Sequence, residues 1–278
     1  MLTNVLAFWQ TTAMSNRRPQ ADLRRPDRRS TIVGVFVAAI LAIALIAGFA
    51  WDRQRTSEMN GHEATPVHSS IADAADYPTL QIPDDPKVLF LGDSITDGSA
   101  ATKKSALGFA PRLAALQGWD DYRVNGVGKS GFLSPGISEA AHRNYRDRLQ
   151  EVYFTKSYSP NVIIFQAGAN DADFAVSDVQ AKVVETVEVA RKYWPGVQIA
   201  LVGPIGGAGL LSDVNRAYSR GAYEAKIPYV DALDNPIIEL DERAELISDD
   251  GWHPNDAGHA RIAEQLHKRL AAFSPADK

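Results

Sequence analysis

Short unbroken apolar runs alternate with stretches of helical periodicity over the last two thirds of the chain. Val88-Leu89-Phe90-Leu91 ends at Gly92, Val162-Ile163-Ile164-Phe165 follows Pro160-Asn161, and Gln198-Ile199-Ala200-Leu201-Val202 ends at Gly203-Pro204. Ile227-Pro228-Tyr229-Val230 and Tyr122-Arg123-Val124 are weaker versions of the same pattern. Runs without polar alternation suit strands buried on both faces, as in a parallel sheet. Between them the spacing predicts helices over 110–117, 138–153 and 177–194. The first carries Pro111 at an early, tolerated position. The third places Val179, Val183, Val187 and Ala190 on one face and stops at Pro195-Gly196. A last stripe, Ile262, Leu266 and Leu270, follows the capping candidates Asn255 and Asp256. Strands alternating with helices imply one α/β domain over residues 85–278, with a parallel sheet and right-handed crossovers.

A different pattern precedes it. Ile32 to Trp51 is a stretch of twenty residues without a charge. At about 1.5 Å per residue a helix of that length spans roughly 30 Å, a bilayer core. Residues 1–30 carry Arg17, Arg18, Arg24, Arg25, Arg28 and Arg29, ahead of the apolar segment at 31–51. This asymmetry implies a cytoplasmic basic tail and a single transmembrane helix, with the remainder outside. Three other readings stay open: a cleaved secretory signal with Gly48-Phe49-Ala50 at the cut, a twin-arginine signal using Arg28-Arg29, or a buried core helix, for which a charge-free run this long is rare. Met14 is an alternative start. Residues 52–84, with Pro66, Pro78 and Pro83 and no periodicity, read as a linker; His62 and His68 within it read as solvated.

The formal net charge of −5 divides unevenly: residues 1–51 carry +4, which leaves −9 for the rest. An acidic domain argues against nucleic acid as a partner. The chain has no cysteine, which excludes disulfide scaffolds, thiolate metal centres and a cysteine nucleophile.

In parallel α/β sheets, sites gather beyond the carboxyl ends of the strands. The first strand is followed by Gly92-Asp93-Ser94-Ile95-Thr96. A serine at a strand-to-helix turn is exposed, and a helix N-terminus there favours a developing negative charge; capping by Asp93 or Ser94 is the competing reading. Asn125-Gly126-Val127-Gly128-Lys129-Ser130-Gly131 follows the second strand. A phosphate loop would need glycine where Arg123 stands, so this turn is read instead as a source of backbone N–H groups. Gly168-Ala169-Asn170-Asp171 offers a neutral amide donor suited to an oxyanion. Asp250-Gly251-Trp252-His253-Pro254 places a histidine three residues after a carboxylate able to fix its tautomer.

The ordered set Ser94, Gly131, Asn170, Asp250-x-x-His253 resembles the SGNH (GDSL-like) hydrolase family over about residues 86–273. The resemblance implies a three-layer α/β/α, flavodoxin-like fold with five parallel strands. It also implies a serine esterase that needs no cofactor or metal. Ser94 would be the nucleophile, His253 the base and Asp250 its orienting partner. The N–H groups of Ser94 and Gly131 and the Asn170 side chain would form the oxyanion hole. Asp93 and Asp171 would shape turns, and Asp249 is a less favoured orienting partner than Asp250. Short intervals between the blocks leave little room for a lid, and 205–211 reads as a wall of the pocket. The expected substrates are acyl esters, short-chain ones such as acetyl, of envelope glycans or lipids. Acyl transfer to a sugar hydroxyl and silent glycan binding remain as alternatives.

Overall fold

The computed structural model describes residues 77–137, 143–206 and 209–274. The basic tail, the apolar segment at 32–51 and the linker up to residue 76 lie outside these residues. Among the described residues no helix is long and apolar enough to cross a membrane.

The elements run β1 (Lys87–Gly92), α1 (Lys104–Leu107), α2 (Phe109–Gln117), β2 (Asp121–Gly126), α3 (Tyr145–Phe154), β3 (Val162–Gln166), α4 (Val176–Tyr193), β4 (Gln198–Val202), α5 (Ser212–Glu224), β5 (Tyr229–Val230), α6 (Arg243–Leu246) and α7 (Asp256–Ala271). The strands form one five-stranded sheet in the order β2-β1-β3-β4-β5. Every pairing is parallel. β1, β3 and β4 occupy the centre, and Val88 to Leu91, Val162 to Phe165 and Ile199 to Val202 are all buried. That is why their sequences are continuously apolar. Helix α2 packs with α7, and α4 packs against both α3 and α5, giving helical layers around a sheet whose centre is covered on both faces.

The stripe expected on α4 is buried in full: Val179, Val183, Val187 and Ala190 have no exposed surface. α7 begins at the N-cap Asn255, whose side chain accepts the N–H groups of Ala257 and Gly258. Asp256 has a different task. Its carboxylate takes the Thr102 backbone N–H at 2.8 Å and the Thr102 hydroxyl at 2.6 Å.

Two elements depart from the sequence-based expectation. Helix α5 has no apolar run, because its buried stripe is built from Val214, Ala217, Tyr218, Gly221 and Ala222. A Cβ on Gly221 would stand 2.7 Å from the Cβ of Val183, so small residues here let α5 approach α4 closely. The packed domain also begins before residue 85. Tyr77 and Leu80 are buried, and the Leu80 N–H donates to the Phe273 carbonyl at 2.7 Å. Residues 77–84 are therefore part of the fold, although their composition resembles a linker.

Candidate active site

The carboxyl ends of β1, β2 and β3 and the turn before α7 converge on one cavity of about 280 Å³. Ser94, Asn170 and His253 line it, with Lys129, Ile205, Leu211 and Trp252. β1 delivers Ser94 through a turn in which the Asp97 N–H returns to the Asp93 carbonyl and the Ser99 N–H to the Ser94 carbonyl. This corrects the expected strand-to-helix junction. Among the described residues the first regular helix after β1 starts only at Lys104, so the turn itself presents no helix dipole to Ser94. A Cβ on Gly92 would sit 2.0 Å from the Thr96 hydroxyl, which requires glycine where the turn doubles back.

His253 Nε2 lies 2.9 Å from Ser94 Oγ, and His253 Nδ1 lies 2.6 Å from Asp250 Oδ2. A carboxylate only accepts, so Nδ1 carries the proton and the Nε2 lone pair faces the Ser94 hydroxyl. Asp250 Oδ1 meanwhile accepts the backbone N–H groups of Trp252 and His253 at 2.8 and 2.9 Å. These bonds, with the ring of His253, hold the Asp250 carboxyl well below the usual range, the His253 backbone N–H contributing most. The three-residue spacing thus lets one carboxylate fold its own turn and orient the ring. Asp249 takes no part in this chain of bonds.

The expected oxyanion donors divide. The N–H of Ser94 has no acceptor among the described residues, so it is free for a ligand. Asn170 Nδ2 faces the site and donates to the Ser130 carbonyl at 2.9 Å, with Asp93 Oδ2 at 3.4 Å. Gly131 is placed differently from the expectation. Its N–H donates to the Ser134 carbonyl at 2.9 Å, and a Cβ on it would run into the Asp171 carboxylate at 2.3 Å. It is a packing glycine. The glycine of this loop that faces the nucleophile is Gly128, where an added Cβ would come 3.9 Å from the Cβ of Ser94.

Asp171 shapes the loop, as expected. Its buried carboxylate accepts the N–H groups of Phe132, Leu133 and Ser134 and the Tyr218 hydroxyl. Asp93 is buried as well, and its Oδ1 accepts the Ile95 N–H at 2.8 Å. Desolvation dominates there and raises its pKa to about 6, opposed by the Ile95 hydrogen bond and by Gln166. The folded state therefore binds this proton more tightly than the unfolded chain does. The sign follows: its contribution favours folding at low pH and is lost as pH rises from about 4 to about 6. Denaturant melts should show a fall on the order of 3 kcal/mol across that window. Asp93→Asn should remove the slope, and an unchanged slope in that variant would refute the assignment.

A residue with no sequence signal of function completes the site. Arg148 of α3 is buried, with 1% of its surface exposed. Its guanidinium donates to the carbonyls of Gly92 at 2.8 Å, Asn125 at 2.6 Å and Arg143 at 3.0 Å. It also reaches the Asn125 side-chain oxygen and Ser130 Oγ, each at 3.0 Å. One side chain therefore ties the end of β1, just before Ser94, to the loop after β2. Burial lowers its pKa to about 10, still cationic at neutral pH. His259, also buried, accepts the Phe109 N–H on Nδ1 and so donates from Nε2 to the Ser99 carbonyl, closing the far side of the Ser94 turn. Among the described residues no group of side chains could hold a metal ion.

A parallel α/β sheet with a serine, histidine and aspartate hydrogen-bonded in series beyond its carboxyl edge defines a hydrolase of the serine type. The chain belongs to the GDSL-like lipase/acylhydrolase family, whose family model matches residues 90–261. A GDSL lipase of Mycobacterium tuberculosis is 28% identical over 201 residues, covering 64% of this chain and 79% of that protein. The psychrotrophic esterase EstA from Pseudoalteromonas sp. shares the fold at a TM-score of 0.51 and 15% identity, over 68% of this chain and 98% of its own. Est24, a carbohydrate acetylesterase from Sinorhizobium meliloti, does so at 0.50 and 18%, over 67% and 98%.

Proposed function

We propose that the chain hydrolyses short acyl esters through an acyl-enzyme on Ser94. The observation that carries this is the unbroken series Ser94 Oγ, His253 Nε2, His253 Nδ1, Asp250 Oδ2. Ser94 Oγ attacks the acyl carbon while its proton passes to His253 Nε2, and Asp250 stabilises the imidazolium. The oxyanion is held by the Ser94 N–H, the Asn170 amide and the backbone at Gly128. Collapse breaks the bond to the alcohol, which leaves with the proton from His253. Water then repeats the sequence and regenerates Ser94. Asn170→Ala should lower kcat on the order of 10²- to 10³-fold with little change in KM, the usual cost of one oxyanion donor. A loss confined to KM would reassign Asn170 to substrate binding.

The cavity volume of about 280 Å³ supports a small acyl group, since it falls just below the usual range of ligand pockets, about 300–1,000 Å³. Carbohydrate esters are our preferred substrates, with acetylesterases of this fold as precedent, and lipid esters are the second choice. The apolar segment 32–51 and the arginines before it support a membrane-anchored domain facing out of the cytoplasm. The test is hydrolysis of p-nitrophenyl acetate, butyrate and octanoate by the full chain. A maximum at acetate supports the reading. A maximum at octanoate would point instead to an acyl chain running past Gly206 into the neighbouring cavity lined by Leu233, Ile238 and Leu240. No turnover of any ester by folded protein would overturn the esterase reading.

A further inference from the structure

We infer that Lys129 selects esters carrying a negative charge close to the scissile bond, a carboxylate being the simplest case; this rests on the esterase reading above. Lys129 follows Gly128, the glycine facing Ser94, and lines the same cavity as Ser94, Asn170 and His253. It is the one lysine or arginine among the described lining residues. The other ionisable groups there are engaged: Asp93 is buried under Ile95 and Gln166, and His253 lies between Asp250 and Ser94. Lys129 is exposed and has no ion pair among the described residues, whereas Lys104 is paired with Asp97 and Lys182 with Glu185.

Its backbone gives a second argument. Lys129 sits at φ 59°, a left-handed conformation that glycine adopts without strain and lysine does not. Lys156 and Lys226 share it, but each directly follows the C-cap of a helix, α3 and α5, where a left-handed residue closes the last turn. Lys129 ends no helix. Its conformation is imposed by the loop, through the Ser130 N–H on the Val127 carbonyl and the Ser134 hydroxyl on the Lys129 carbonyl. A long cationic side chain stands where the backbone favours glycine, at the mouth of the cavity.

The sheet order sets what that cation meets. β2 and its loop lie on one side of β1, and β3 and β4 on the other. The cavity is therefore cationic on the β2 side, at Lys129, and apolar on the β4 side, at Pro204, Ile205 and Leu211. An ester with a small apolar part and an anionic part matches both ends. The chain outside the basic tail carries −9, a field that repels such a substrate, so a local cation is what would admit it.

The experiment compares kcat/KM of the full chain on two matched pairs. One pair is 4-acetoxybenzoate and its methyl ester, with the charge on the alcohol side. The other is mono-4-nitrophenyl succinate and its methyl ester, with the charge on the acyl side. In one pair the anionic-to-neutral ratio should fall about three- to fivefold in Lys129→Gln and be retained in Lys129→Arg. The preference should also weaken as salt is raised from about 0.05 to about 0.5 M. The responding pair identifies which side of the ester carries the anion. Equal ratios for wild type, Lys129→Gln and Lys129→Arg in both pairs would overturn the inference while leaving the esterase intact. Failure of the wild type on all four esters would overturn the esterase reading and this inference with it.

Discussion

Ser94→Ala should lower kcat for p-nitrophenyl acetate on the order of 10⁵- to 10⁶-fold, and His253→Ala by a similar factor. The reason is geometric. With Ser94 Oγ removed, no hydroxyl or thiol is left among the described lining residues to form the acyl bond, because Ser94 is the one hydroxyl there and the chain has no cysteine. With His253 removed, Ser94 keeps its proton at neutral pH, since a hydroxyl without a base is a poor nucleophile. The two residues act as a unit, so the double variant should be no slower than either single one. That non-additivity separates a shared proton relay from two independent contributions. Single-turnover rates on all three variants, with circular dichroism to confirm folding, make the test. Multiplicative losses would sink the relay, and wild-type turnover in Ser94→Ala would sink the nucleophile assignment.

The second large effect is on stability. Arg148→Met should cost about 3–5 kcal/mol, because it removes five hydrogen bonds from a charged donor to Gly92, Asn125, Arg143 and Ser130, although the Gly92 carbonyl keeps the Val127 N–H. For a domain of this size that lowers Tm on the order of 10 °C. Arg148→Lys restores the charge but not the fork, so it should recover only part of the loss. Ser130→Ala removes a single contact of the guanidinium and should cost about 1 kcal/mol. Thermal melts of the three variants check the ranking. A melt of Arg148→Met within 2 °C or so of wild type would show that water replaces the guanidinium at these acceptors.

The central strands were legible because β1, β3 and β4 are covered on both faces and their buried runs are apolar, with Gln166 at the end of β3 the exception. The outer pair was faint for the opposite reason. β2 is a partly exposed edge, with Val124 42% exposed, and β5 has two residues. Tyr77 and Leu80 leave no signal in the sequence because two apolar residues among prolines and polar residues form no periodicity. Ser94, Asn170, Asp250 and His253 were readable because each sits in a turn whose spacing is itself the chemistry. Which glycine of the 126–131 loop faces Ser94 was not readable. That depends on the left-handed turn at Lys129 and on Asp171 reaching across from β3. Arg148 looks like one more charge on a charged helix. The hint lies in its company: with Tyr145, Leu149 and Val152 it makes the buried face of α3, a position where a cation must find partners.

The hydrogen bond from Leu80 to Phe273 means that the domain's entry and exit segments meet. Covalently, the fold is then close to a ring that happens to be cut at that seam. A circular permutant that joins residue 274 to residue 77 through a short glycine-serine bridge, and opens the chain in a surface turn away from the cavity, keeps every contact described above. Gly196, at positive φ and with nothing within 4 Å of where a Cβ would stand, marks such a turn.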